Sequence, residues 1–174
     1  MALLTLRPNG AGTYTSIASQ YPATGNHWDK VDDETPDDGA TIVYTTFSGY
    51  QTDCFVFPNQ SDIGPINSVS VYVVCDKESS GGGYLCTPII FIAPSWYGTD
   101  QTLADGGYSE YHQTWTTNPA TSSSWEWSDL DSAEIGVRLR GLGDYEVRCT
   151  QVYVVIDYTP YPSGGEGQII GLEI

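Results

Sequence analysis

Two long segments alternate residue by residue between two side-chain faces, the signature of strands that lay one face on a core. Ile66 to Cys75 places Ile66, Ser68, Ser70, Tyr72 and Val74 on one face and Val69, Val71 and Val73 on the other. Arg148 to Tyr158 places Cys149, Gln151, Tyr153, Val155 and Asp157 opposite Thr150, Val152, Val154 and Ile156. β-Branched residues, stiff at χ1 and suited to a pleated surface, dominate both. Shorter strands are expected at Leu3 to Arg7, Ala40 to Thr46, Asp53 to Phe57, Leu85 to Ala93, Glu110 to Thr116 and Glu134 to Arg140, most of them bounded by Gly, Pro, Asn, Asp or Ser. Only Ser128 to Ala133 hints at a helical turn. Strands following strands with no helices between them exclude a parallel βαβ architecture. They favour two packed antiparallel sheets, an all-β sandwich of jelly-roll type.

The end of the chain breaks this pattern. The sandwich is expected over residues 1–158, followed by a linker at 159–167 holding Pro160, Pro162, Gly164, Gly165 and Gly167. Residues 168–174 then read as an isolated apolar strand, with Ile169, Ile170, Leu172 and Ile174 as anchors and no hairpin partner downstream. Such a strand needs an open sheet edge, and the extended linker spans up to about 30 Å, enough to reach its own sheet or a neighbour's.

Length and composition support one folded domain. A chain of 174 residues, 40% hydrophobic and only 16% charged, with 19 Gly and 10 Pro, is large enough for one core without metals or disulfides. Charge changes the picture of partners. Six Lys and Arg against 22 Asp and Glu give −16, a field that repels phosphate backbones and anionic lipid headgroups, so neither nucleic acid nor a membrane is an expected partner. The same field opposes self-association, which must then rest on backbone pairing, apolar contacts, salt or divalent ions. The start of the chain, Met1 to Pro8, has neither the basic opening nor the long apolar run of a signal peptide, and no stretch has the apolar length of a membrane helix.

Candidate chemistry is sparse. The acidic loop Asp29 to Gly39 offers Asp32, Asp33, Asp37 and Asp38 as candidate Ca2+ ligands, but it lacks EF-hand spacing, and the simpler alternative is a solvated loop with no cofactor. His27 and His112, the only imidazoles, each adjoin an aromatic residue and fit hydrogen-bonded packing better than general-base work. No nucleophile elbow, HExxH helix, Walker loop or dinucleotide fingerprint is present. Cys54, Cys75, Cys86 and Cys149 allow three pairings. The alternatives are buried free thiols or two bridges: Cys75–Cys86, facing each other across a hairpin, and Cys54–Cys149. Asn59-Gln60-Ser61 is a glycosylation sequon. Trp96, Tyr97, Tyr108, Tyr111, Trp115, Trp125 and Trp127 crowd the middle of the chain. Exposed, such rings stack on sugars; buried, they close the ends of the core, and Trp115, Trp125 and Trp127 are expected to do the latter.

Several stretches together resemble a known group: Thr5 to Gly10, His27 to Asp33 with Asp37 to Thr41, and the run from Thr117-Asn118-Pro119 through Trp125-Glu126-Trp127 and Gly136 to Leu139 to Cys149 to Val154. They are similar to uncharacterised jelly-roll proteins of phages and environmental prokaryotes, including virion-associated proteins and protomers of extracellular helical fibrils. The resemblance covers nearly the whole domain and carries no catalytic signature. It implies a non-enzymatic structural role, extracellular or in a virion, among identical copies, with oxidised cysteines in that setting. The apolar tail adds polymerisation by strand addition. Two alternatives come from other classes: a carbohydrate-binding module using surface Trp and Tyr, with a glycan partner, and a glycan hydrolase on a jelly-roll scaffold.

Overall fold

The computed structural model describes residues 1–162. Twelve strands run β1 Ala2–Leu6, β2 Gly10–Thr15, β3 Ser19–Tyr21, β4 Ile42–Thr45, β5 Gln51–Val56, β6 Ile66–Lys77, β7 Leu85–Ile92, β8 Ser95–Tyr97, β9 Gln101–Thr102, β10 Ser109–Trp115, β11 Glu134–Arg140 and β12 Val147–Tyr158. One short α-helix, α1, spans Trp127–Asp131, where the sequence hints at a turn, and a single 3-10 turn spans Trp28–Lys30.

The strands form two antiparallel sheets. Sheet A has the order β10-β6-β12-β4-β3, with β1 also on β12; sheet B has the order β2-β5-β11-β7-β8, with β9 on β7. From β4 onward the longer strands change sheet at each step, and the paired orders β4-β12-β6-β10 and β5-β11-β7-β8 are those of a jelly roll. All eight strands expected from the sequence are present with shifts of one or two residues at most ends. The short strands β2, β3, β8 and β9 were beyond the pattern, because two to six residues with Gly or Ser carry too little periodicity.

The alternation of β6 is observed as expected: Val69, Val71 and Val73 are buried between the sheets and Tyr72 points outward. They meet Val152, Val154 and Ile156 of β12 and, from sheet B, Phe55, Ile90, Ile135, Val137 and Leu139. Gly136 lets β11 lie against β5, since a Cβ there would collide with the Asp53 carbonyl. Trp125 and Trp127, only 4% and 7% exposed, close the core as expected. The indole N–H of Trp127 donates to the Gly64 carbonyl at 2.8 Å and that of Trp125 to the Trp115 carbonyl at 3.1 Å, so neither polar tip is stranded.

In β12 the regular alternation fails at one point. Cys149 pairs with Cys75 and Gln151 with Val74, leaving Thr150 as a bulge. The extra residue moves Cys149 to the core face of Val152 and Val154, correcting its expected place beside Tyr153. Thr150 is fully buried, with its hydroxyl 2.8 Å from Asp37 Oδ1 and 2.9 Å from the Thr41 carbonyl oxygen.

Of the two expected disulfide pairs, the structure separates Cys54 from Cys149 and brings Cys75 near Cys86 by a different route from the hairpin expected. All four cysteines are free and buried. Cys54 lies on the outward side of sheet B with Ile89 and Phe91, whereas Cys149 lies in the core, so the sheet separates the thiols of the expected Cys54–Cys149 bridge. Cys75 and Cys86 do not face each other across a hairpin, because β6 belongs to sheet A and β7 to sheet B; they approach across the core as thiols, together with Cys149. Burial pushes the Cys54 thiol up to about 12, helped by Glu134 and Asp53, and raises Cys75 strongly.

Candidate functional site

The outward face of sheet B brings aromatic, cationic and acidic side chains together. Its geometry starts from β11, where Ile135, Val137 and Leu139 enter the core and Glu134, Arg138 and Arg140 therefore point out. Antiparallel pairing places Thr52 of β5 and Thr87 of β7 on either side of Arg138, and Cys54 and Ile89 on either side of Gly136. Phe91 lies beside Glu134, and β8 pairs its Trp96 with Phe91. Tyr14 from β2 packs onto this apolar strip.

Trp96 is 39% exposed. It is held rather than loose: Tyr14 meets it edge-on with centroids 4.9 Å apart, and Phe91 lies 6.5 Å away. The guanidinium of Arg138 lies 5.3 Å from the Trp96 ring centroid and 4.3 Å from that of Tyr50; Arg140 lies 5.5 Å from Tyr50. Each exposed cation–π contact contributes on the order of 0.5–1 kcal/mol, enough together to orient the side chains. The Tyr50 hydroxyl donates to Asp100, whose other oxygen accepts from Thr87 Oγ1 at 2.6 Å. Burial raises the Asp100 pKa, but the hydroxyls of Thr87 and Tyr50 and the two nearby arginines outweigh it and hold the carboxyl below its ordinary value. The bond to Asp100 raises the Tyr50 phenol, with burial adding to it. Glu134 is likewise engaged, accepting from the Thr13 amide at 2.8 Å and the Thr13 hydroxyl at 2.7 Å.

The residues expected from sequence are spread elsewhere. In the acidic loop, Thr41 Oγ1 lies 3.0 Å from Asp33 and 2.8 Å from Asp37, Arg7 donates to the Asp33 carbonyl at 2.6 Å, and Asp38 sits at φ +50°. Burial and the charges of Asp33 and Asp29 raise the Asp32 pKa; in Asp37 hydrogen bonds from Thr150 and Thr41 outweigh burial and lower it. Among the described residues no group of three or more His, Cys, Asp or Glu side chains is placed to hold a metal ion. Asn59 is exposed in the loop after β5. His27 Nδ1 lies 2.5 Å from Asp53 Oδ2, while Oδ1 of that fully buried carboxylate accepts from the amides of Ser16 and Ile17. His27 is hydrogen-bonded, as expected, through this buried carboxylate. His112 stacks on Tyr72, and Tyr72 on Tyr153, at 4.9 Å each, a cross-strand ladder on the outside of sheet A. Ile169, Ile170, Leu172 and Ile174 lie outside the described residues.

Trp96 belonged to the aromatic cluster seen in sequence, but its partners Tyr14, Tyr50, Arg138 and Arg140 did not. They lie on three further segments, with both arginines on β11, and meet Trp96 only through strand pairing. Alternation along Glu134 to Arg140 was the one available signal, since it puts both arginines on the face opposite the aliphatic residues.

No protein-family model matches the chain, and no curated protein matches it. Among solved structures it is similar to a family 16 carbohydrate-binding module 2, at 7% identity and TM-score 0.41 over 68% of this chain and 81% of that one. It is also similar to the N-terminal cellulose-binding domain of Cellulomonas fimi β-1,4-glucanase C, at 14% identity and TM-score 0.40 over 85% of this chain and 99% of that one. An exo-beta-agarase matches at 12% identity and TM-score 0.42; the match covers 94% of this chain but only 24% of the agarase. At such identities no residue here takes its role from these proteins.

Proposed function

We propose that this domain binds glycans on the outward face of sheet B and holds them without turnover. The observation that carries this reading is Trp96. In a protein that buries Trp125 and Trp127, it presents an exposed indole braced by Tyr14 and Phe91 beside the polar groups of Arg138, Asp100 and Tyr50. An aromatic face takes the C–H surface of a sugar ring, and adjacent guanidinium and carboxylate groups meet its hydroxyls. Binding without hydrolysis is supported by the state of the two nearest acids: Asp100 and Glu134 are both tied by hydroxyl or amide donors rather than left free for proton transfer.

Affinity electrophoresis through gels carrying different polysaccharides tests this. Retardation by at least one polysaccharide, lost in Trp96→Ala, is expected. Absence of retardation on all of them, or retardation unchanged in Trp96→Ala, contradicts it.

A second reading, assembly of copies into an extracellular or virion-associated filament, has its own observation. The chain leaves β12 along residues 63–65, with the Thr159 amide donating to the Pro65 carbonyl and the Tyr161 amide to that of Ile63. The last described residues thus lie at a surface groove lined by Pro65, Ile66, Trp125, Trp127 and Tyr161, while β10 ends sheet A with one edge unpaired by any described strand. Strand addition between copies is head to tail and open, which yields a filament unless its rotation closes a ring. Deleting Ser163 to Ile174 is expected to abolish polymers seen by electron microscopy, and polymers that persist after the deletion contradict this reading.

A further inference from the structure

The glycan-binding reading leaves the charge of the ligand unspecified, and the six cations of the chain bear on it. In a protein of net charge −16, nearly every cation has an oxygen partner. Lys30 pairs with Asp29 at 2.6 Å, Lys77 with Asp105 at 2.8 Å and Arg148 with Glu146 at 2.7 Å. Arg7 donates to the carbonyls of Asp33 and Glu34, and Arg140 to that of Gly83. Arg138 differs: among the described residues its side chain forms no ion pair and no hydrogen bond; its Nε, like that of Arg140, is buried without an acceptor. Its guanidinium is gripped instead by two rings, Tyr50 and Trp96.

The nearby acids leave its donors open. Asp100 accepts from Tyr50 and Thr87 and Glu134 accepts from Thr13, and although both keep their negative charge, neither lies within ion-pair distance of Arg138, while Arg140 shares the Tyr50 ring. A planar guanidinium with its terminal nitrogens unclaimed is a bidentate fork for a carboxylate or sulfate. Immediately beside it lies the exposed Trp96 indole.

We propose that this face selects anionic glycans: a sugar ring lies on Trp96 and its carboxylate or sulfate group meets the terminal nitrogens of Arg138. The inference rests on the reading that glycans bind here at all. The global charge repels a polyanion at a distance, but that field is screened beyond about 8 Å at physiological salt, whereas the Arg138 contact is made at hydrogen-bond range.

The test titrates the full chain at neutral pH and physiological salt with dextran, dextran sulfate and alginate, using wild type, Arg138→Gln, Arg138→Lys and Trp96→Ala. Dextran sulfate is expected to bind at least about tenfold tighter than dextran, and Arg138→Gln to lose about tenfold on the charged polymer and markedly less on any neutral one. Arg138→Lys keeps the charge but not the fork and is expected to recover only part of the loss, which separates bidentate recognition from general attraction. Alginate against dextran sulfate distinguishes carboxylate from sulfate as the group recognised. Equal affinity for dextran and both charged polymers, with no effect of Arg138→Gln, overturns the charge selectivity and leaves glycan binding standing. Failure of every polysaccharide, neutral ones included, or indifference to Trp96→Ala, overturns the glycan reading and this inference with it.

Discussion

Burial decides the chemistry of individual residues here more than their type does. The four thiols share one consequence. Cys54, Cys75, Cys86 and Cys149 are all buried, and burial raises the pKa of Cys54 to about 12 and that of Cys75 strongly, so the reactive thiolate is scarce at neutral pH. A thiol reagent is therefore expected to titrate none of them in the native protein and all four after denaturation without reductant. Fewer than four after denaturation would show that bridges had formed. The sequence left free thiols and bridges as alternatives because Cys is both a small apolar core residue and a cross-linker, and spacing alone does not separate the two.

At the scale of elements, β12 shows why alternation is a strong but incomplete guide. Its face assignments were correct from Val152 to Ile156 and failed at Cys149, because the bulge at Thr150 shifts the period where a residue count runs straight through. Nothing in the local pattern marks the bulge; its cause is tertiary, the buried Thr150 hydroxyl meeting Asp37 from a loop more than one hundred residues away. Thr150→Val keeps the shape and removes that contact, and is expected to cost about 1–3 kcal/mol near neutral pH in urea unfolding. The pH dependence has a definite sign. Asp37 has a folded pKa below its ordinary value, so its contribution is present above the unfolded pKa and is lost as pH falls through the folded one. The stability gap between wild type and Thr150→Val should therefore narrow on acidification below about pH 4. A gap that is constant or widens would show that the hydroxyl does not act through the Asp37 carboxylate. Jelly-roll sheets and the long strands were legible because their alternation spans many residues; the sheet-B site was not, because it joins β2, the turn before β5, β8 and β11, which no single stretch of sequence displays together.

For the whole molecule, charge and shape combine. A domain of charge −16 stays dispersed unless a specific contact overcomes repulsion. Two surfaces supply candidates: the sheet-B face with its exposed Trp96 and unpaired Arg138, and the end of the sandwich where the chain departs at Tyr161. The first concerns a ligand and the second another copy, and they lie on different parts of the fold, so both can operate in one protein. No helix among the described residues is long and apolar enough to cross a membrane. The central claim is that ligand meets this domain at Trp96, and the indole N–H signals of the five tryptophans report on it directly. Trp125 and Trp127 have buried indoles that donate to backbone carbonyls and serve as internal controls. On titration with a polysaccharide that binds, the Trp96 indole resonance is predicted to shift and saturate while those of Trp125 and Trp127 stay in place. Saturable binding with the Trp96 signal unmoved would contradict the account.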